Sequence, residues 1–144
     1  MTTVRNILQS KGTDVLSISP DTKVSTALEL MAEKNVGALV VVREGTLAGI
    51  FSERDFARKM TAKGIKAYEA TVKELMTSIV FTVTPDQSID ECMTAMTGRR
   101  IRHLPVLEQE RLIGIISIGD VVKAVISDKE QLIEQLKSYI TGSR

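Results

Sequence analysis

The sequence is short of reactive and aromatic side chains. Its 144 residues include one cysteine, Cys92, and one histidine, His103. A single cysteine excludes an intrachain disulfide. One cysteine with one histidine is too few soft ligands for a zinc site within one chain, although carboxylate sites for other metals stay open, and no metal is expected. Tryptophan is absent, and three Phe and two Tyr are all the aromatics, so platforms for stacking nucleic-acid bases are scarce. Neither sign of charge dominates: 19 Lys and Arg face 18 Asp and Glu, a net charge of +1. That balance gives no broad field for a polyanion, and no nucleic-acid partner is expected. No apolar run approaches the roughly 20 residues of a membrane span. The opening MTTVRNILQSKG has no apolar stretch of the kind a secretory signal needs. A cytoplasmic protein with no membrane partner is therefore expected. No Gly-rich Walker loop occurs, which excludes nucleotide hydrolysis of that class. What the chain does have is aliphatic bulk: Val, Ile and Leu supply 40 residues, enough for a branched, aliphatic core.

The strongest pattern is internal. Shifted by 65, VLSISPDTKV (15–24) lies on VFTVTPDQSI (80–89), and LAGIFSERD (47–55) lies on LIGIISIGD (112–120). Over 15–60 against 80–125, eleven of 46 pairs are identical without a gap, among them Pro20/Pro85, Asp21/Asp86, Gly49/Gly114, Ser52/Ser117 and Asp55/Asp120. Upstream, TVRNIL (3–8) matches TVKELM (71–76) with a three-residue length difference. Solenoids usually need three or more repeats, so two copies point to a closed pair related by a pseudo-twofold axis.

Each copy reads as β-α-β-β-α. Val15–Ser19 and Val80–Thr84 alternate apolar and hydroxyl residues, as strands do, and Pro20 and Pro85 end them. Val24, Leu28 and Met31, and Ile89, Met93 and Met96, fall at i, i+4, i+7, the apolar face of a helix. Ala38–Val42 and His103–Leu107 are short apolar strands. They turn back at Arg43-Glu44-Gly45 and Glu108-Gln109-Glu110 onto Leu47–Phe51 and Leu112–Ile116. A second helix starts near Glu53 and Ile118. Ala62–Thr71 reads as a connecting loop. Asp128–Ile140 reads as a polar helix with Leu132, Ile133, Leu136 and Ile140 along one side, either capping the core or making a dimer contact.

The matched Ser52-Glu53-Arg54-Asp55 and Ser117-Ile118-Gly119-Asp120 stand where a strand gives way to a helix. Two accounts fit. In one they are capping boxes, Ser accepting from an orphan helix N–H and Asp reaching back. In the other the helix N-terminus holds a phosphate while the carboxylate one turn in accepts the hydroxyls of a ribose.

Two β-α-β-β-α units, each with Gly-aliphatic-x-Ser-x-x-Asp, resemble a tandem pair of CBS domains, or Bateman module. TVRNIL, TVKELM and Arg102-His103-Leu104-Pro105-Val106 match the family too, and the resemblance runs from about Val4 to Ile126. It implies an α/β (α+β) fold whose two repeats pack through their sheets: residues 1–64 as repeat 1, 65–127 as repeat 2, and 128–144 as a C-terminal helix and tail. It implies adenosine ligands in two clefts, each drawing on both repeats: AMP first, then ADP, ATP, NAD or S-adenosylmethionine. By resemblance Asp55 and Asp120 hold ribose hydroxyls, and Ser52 and Ser117 sit near ribose or phosphate. Ser17-Ile18 and Thr82-Val83 meet the adenine or its ribose, and backbone from Ala38–Leu39 and Leu104–Pro105 lines the base site. Arg102 and His103 reach phosphates, an Arg being able to grip one bidentately, and Arg54 stands beside the same group. Arg99 and Arg100 end a helix, where cations are favoured for structural reasons. Arg58, Lys59 and Lys63 read as a solvated face. Cys92, matched by Ala27, reads as a small core residue. The implied function is that of a non-catalytic sensor: a homodimer that regulates a separate protein target. Two rivals remain, a ligand-free interaction module and a small nucleotide-processing enzyme; for the latter no general base or metal constellation is evident.

Overall fold

A computed structural model describes residues 2–64 and 66–141, and of Lys63 the backbone alone. The elements are α1 (Val4–Lys11), β1 (Ser17–Ile18), α2 (Val24–Lys34), β2 (Ala38–Arg43), β3 (Thr46–Ser52), α3 (Glu53–Lys63), α4 (Lys66–Glu69), α5 (Val72–Leu75), α6 (Ile89–Arg99), β4 (His103–Glu108), β5 (Arg111–Ser117) and α7 (Ile118–Thr141). The helix and strand content is that of an α+β protein. No helix among the described residues is long and apolar enough to cross a membrane.

The chain folds into two compact units. One is built from Asp14–Phe81 with Glu110–Leu112, the other from the chain up to Thr13, Thr82–Gln109 and the chain from Ile113 onward. In the first unit β1 pairs parallel with β2, and β2 antiparallel with β3, with a bulge between Val41 and Val42. Val24, Ala27 and Met31 of α2 pack with Leu39, Val41, Phe51, Val72 and Leu75 in one buried cluster. Residues three and four apart on a helix meet alternate residues of the strands, which is why those spacings share one interior. In the second unit β4 and β5 form a two-stranded sheet. Its buried side chains include Val4, Leu8, Ile89, Cys92, Met96, Leu104, Ile116 and Val121.

The leading segment of each unit comes from elsewhere in the chain. In the first unit, Val72 N–H donates to the Thr22 carbonyl, Lys73 N–H to the Pro20 carbonyl, and Lys73 pairs with Asp21 at 3.3 Å. In the second, Val4 N–H donates to Gln87, Arg5 N–H to Pro85, and Arg5 pairs with Asp86 at 3.5 Å. These are matching interactions: the acceptors recur 65 residues on, while their donors come from 68 residues earlier. Both segments begin with a capping box, Thr71/Glu74 and Thr3/Asn6. TVKELM, between the repeats, therefore serves the first unit, while TVRNIL, at the start of the sequence, serves the second. The packing thus exchanges the leading segments of the two repeats.

Four local readings are corrected. The first strand shortens to Ser17–Ile18, and its copy over Val80–Thr84 is reduced to one parallel bridge, Val83 with Val106. Proline explains the difference. Val40 N–H donates to the Leu16 carbonyl at 3.2 Å. The matching position is Pro105, which has no N–H to give, so the ladder stops there. The stretch 62–71 is not a plain loop, since α3 runs to Lys63 and α4 follows, with Tyr68 edge-on to Phe56 at 5.1 Å. The helix expected over 128–140 is continuous with the one before it, because no Gly or Pro interrupts the chain from Asp120 to Thr141. Met93 is exposed rather than core, while Val121 is fully buried.

The two hairpins turn alike with different residues. Glu44 and Gly45 have φ of 51° and 78°, Gln109 and Glu110 of 51° and 65°. Positive φ at both central positions is the twist-matched hairpin turn, and the second copy forms it without glycine.

Candidate functional site

Each unit has one corner where the second hairpin strand passes into a helix, and the matched Ser and Asp sit on it. In the first, Ser52 caps α3 with extended backbone. Asp55 N–H donates to Ser52 Oγ at 3.1 Å, while Ser52 N–H and Ser52 Oγ both donate to Asp55 Oδ2 at 3.0 Å. The other carboxylate oxygen, Oδ1, accepts from Thr77 Oγ1 at 3.0 Å. Thr77 is held there by a backbone pair with Ile50, N–H to O at 2.9 and 3.0 Å. The strand can come this close because its residue is Gly49: a Cβ there would lie 2.7 Å from the Thr77 carbonyl oxygen.

The second corner repeats the capping and changes the neighbour. Asp120 N–H donates to Ser117 Oγ at 3.2 Å, and Ser117 N–H donates to Asp120 Oδ2 at 2.8 Å. Here Lys11, at the end of α1, donates to Asp120 Oδ2 at 2.7 Å and to the Ile115 carbonyl at 3.0 Å. Ile115 matches Ile50, so an ammonium satisfies the carbonyl that a backbone N–H satisfies in the first unit. Gly114 makes room, since a Cβ would lie 2.7 Å from Leu8 Cδ2. Burial pushes the Asp120 carboxyl up, but the hydrogen bond from Lys11, the Ser117 N–H and the ammonium charge together outweigh it and hold the group below its ordinary value. Asp120 Oδ1 has no protein partner among the described residues.

The remaining sequence candidates fall around these corners. Ala38 is paired with Ser52 across β2 and β3, and Ser17 and Ile18 with Val40 and Val41. Glu53 N–H donates to the Gly37 carbonyl at 3.1 Å, tying the start of β2 to the helix N-terminus. In the second unit Ile118 N–H donates to the Arg102 carbonyl at 2.8 Å, so Arg102 and His103 flank the α7 N-terminus. Val83 N–H donates to the Pro105 carbonyl at 3.1 Å, which sets Thr82 and Val83 beside Leu104 and Pro105. Ala38, Val83, Leu104 and Pro105 are buried, and they offer backbone and apolar surface rather than polar side chains. Ser17, Arg54 and Arg102 are exposed, and Ile18, Thr82 and His103 half-buried. Arg54 and Arg102 form no ion pair with another described residue. The side chain of Lys63 lies outside the described residues.

Sequence reading missed Thr77 and Lys11. The TVRNIL/TVKELM match was visible, but it ends before either residue, and the helix is longer in one copy than in the other. Cys92 is fully buried and burial pushes its thiol up to about 11, which makes it a poor nucleophile. Among the described residues, no three His, Cys, Asp or Glu side chains gather as a metal site requires.

The CBS domain model matches residues 4–62 and 72–127, most of the chain. A "CBS domain-containing protein CBSX3, mitochondrial" from Arabidopsis thaliana is 39% identical over 150 residues, 98% of this chain and 73% of that protein. The solved structure of a protein with CBS domains from Burkholderia ambifaria is 48% identical with a TM-score of 0.85, covering 88% of this chain and 96% of that one. A CBS domain pair of protein MJ0100, solved in complex with 5-methylthioadenosine and S-adenosyl-L-methionine, is 25% identical with a TM-score of 0.78 over 89% of this chain and 98% of that one. Hypoxic Response Protein I, solved with two coordinated zinc ions, is 29% identical with a TM-score of 0.70 over 86% and 99%. Two units of one design, each with the Gly-aliphatic-x-Ser-x-x-Asp corner, and the match of the family model to both repeats lead to one conclusion: the chain belongs to the CBS domain family and carries two of its domains in tandem.

Proposed function

We propose that this protein is a non-catalytic sensor that binds an adenosine compound at its Ser–Asp corners and regulates a separate protein in response. The observation that carries the reading is the pair of corners itself. Each places a carboxylate at the start of a helix of eleven residues or more, in a frame whose solved neighbour holds 5-methylthioadenosine and S-adenosylmethionine. A carboxylate is an acceptor-only group, and vicinal ribose hydroxyls are donors, so the pairing needs no proton transfer. With the N–H groups of Glu53, Asp55, Ile118 and Asp120 already bonded, the N–H of Arg54 or Gly119 and the exposed guanidiniums of Arg54 and Arg102 are what the helix starts offer a phosphate. Arg54 serves the first corner and Arg102, next to His103, the second. AMP is the first candidate, ahead of ADP, ATP, NAD and S-adenosylmethionine.

Regulation follows from differential affinity alone. A ligand shifts the populations of two conformations or assemblies only by as much as it binds one better than the other. In the ligand-free alternative the Ser and Asp side chains do nothing but cap helices, and their hydrogen bonds are the ones that alternative requires. The two readings part in a thermal-shift screen of AMP, ADP, ATP, NAD, NADH and S-adenosylmethionine. The sensor reading expects one of them to stabilise the fold by about 2.7 kcal/mol at a hundredfold excess over Kd. No shift with any of the six would leave the interaction module standing. Incubation with AMP, ATP or NAD should yield no product; turnover would make the protein an enzyme.

A further inference from the structure

The two carboxylates differ in how much accepting capacity the protein leaves them. An ionised carboxylate has roughly four acceptor positions, two to an oxygen. At the first corner Asp55 Oδ2 already accepts from Ser52 N–H and from Ser52 Oγ, both at 3.0 Å, and Oδ1 accepts from Thr77 Oγ1 at 3.0 Å. One position is left, on Oδ1. At the second corner Asp120 Oδ2 accepts from Ser117 N–H at 2.8 Å and from Lys11 Nζ at 2.7 Å. Asp120 Oδ1 has no protein partner among the described residues, so both of its positions are open. Both residues are half-buried, and neither is closed off from solvent. The leading segments set this difference. Thr77, pinned by its backbone pair with Ile50, lays its hydroxyl on the outer oxygen of Asp55. Lys11 comes to the oxygen of Asp120 that Ser117 already engages and leaves the other untouched.

A ribose brings two vicinal hydroxyl donors, a 2′-deoxyribose only one of them. Resting on the adenosine reading above, we propose that the second corner reads the vicinal diol of its ligand and the first corner a single hydroxyl, with Thr77 as the positioning residue that makes the difference. The diol enters at Asp120 Oδ1 and displaces neither Lys11 nor Ser117. At Asp55 the second hydroxyl finds no acceptor until Thr77 lets go, and a donor left unmet in a half-buried site weakens binding. The second corner therefore fills first and prefers ribonucleotides to their 2′-deoxy counterparts. The first corner is weaker and accepts both alike.

Isothermal titration of the full chain with AMP and with 2′-deoxy-AMP tests this, using Asp55→Ala to isolate the second corner and Asp120→Ala to isolate the first. AMP should bind the second corner about tenfold more tightly than the first, the worth of one hydrogen bond to a charged group. Loss of the 2′-hydroxyl should cost about tenfold at the second corner and less than about threefold at the first. Adding Thr77→Ala to Asp120→Ala frees the acceptor. It should tighten AMP by about tenfold and leave 2′-deoxy-AMP unchanged, whereas Thr77→Ser keeps the hydroxyl and should change neither. Thr77 is exposed and its pairing with Ile50 is made by backbone, so both variants should keep the fold, which thermal melting checks. Equal discrimination against 2′-deoxy-AMP at the two corners overturns the inference and leaves the adenosine reading standing. So does a Thr77→Ala variant that gains nothing for AMP. No heat from AMP with the wild type, or the same heat with Asp55→Ala/Asp120→Ala as without, defeats the adenosine reading itself and the inference with it.

Discussion

The two repeats share a frame and differ in how they hold their carboxylates. In the first, Asp55 is met by the hydroxyl of Thr77; in the second, Asp120 is met by the ammonium of Lys11. The leading segments explain the difference. α5 ends at Leu75, and the extended chain after it brings Thr77 onto Ile50. α1 continues to Lys11, so a side chain does by reach what a backbone does by pairing. A duplicated frame thus carries two unlike corners, a carboxylate met by a neutral hydroxyl and a carboxylate paired with an ammonium, without altering the Ser-x-x-Asp that defines them. If ligand binds at both, it exchanges a weak neutral donor at one corner and shares the carboxylate with an ion pair at the other.

The comparison breaks most readily at the glycines. Gly49→Ala drives a methyl against the Thr77 carbonyl and the Met76 sulfur, at 2.7 and 2.8 Å. A cost of about 1–3 kcal/mol in urea unfolding is expected. Gly114→Ala meets only the end of the Leu8 side chain, which can turn aside. Its cost should be clearly smaller, below about 1 kcal/mol. Equal costs would show that the two leading segments approach their strands in the same way.

A smaller effect separates the corners in acid. The folded-state pKa of Asp120 lies below its unfolded value. Its contribution to stability is therefore complete above about pH 4 and is lost as pH falls through the folded value. Lys11→Met should cost about 1 kcal/mol at neutral pH and progressively less below pH 4, flattening the acid limb of the stability curve. Thr77→Val leaves Asp120 and its partner untouched and should keep the slope of that limb. Measuring ΔG of unfolding from pH 2 to 7 for both variants checks this; parallel curves would remove the ion pair from the account.

The smallest effect concerns Cys92. It matches Ala27, and both are fully buried. Cys92→Ala should cost no more than about 1 kcal/mol. The native thiol should resist alkylation at pH 8 and react fully on unfolding, and rapid labelling of the folded chain would contradict its burial.

The frame was legible because backbone demands recur. Pro20 and Pro85 stop strands, Gly49 and Gly114 admit a neighbour, and Ser and Asp cap helices, so the 65-residue register survives where side chains have diverged. The exchange of leading segments was not legible. TVRNIL precedes the first repeat in the chain, and nothing in its composition says that it pairs with Pro85 and Gln87 rather than with Pro20 and Thr22. Lys11 was hidden for the same reason, since it lies 109 residues from Asp120. Pro105 was read as part of a family motif, while its effect on the first strand of that repeat follows from the missing N–H. The continuity of α7 is hidden in the sequence because the stretch after Ile126 turns polar although no Gly or Pro breaks the helix there.

Isothermal titration of the wild type, Asp55→Ala and Asp120→Ala tests the central claim, that the two Ser–Asp corners hold a ribose. The titrant is the adenosine compound that shifts melting most. Each substitution should abolish one binding event and leave the other, and the loss at Asp120 should be accompanied by a lower cost of Lys11→Met, since the ion pair is already gone. If both variants bind as the wild type does, the corners are helix caps and nothing more.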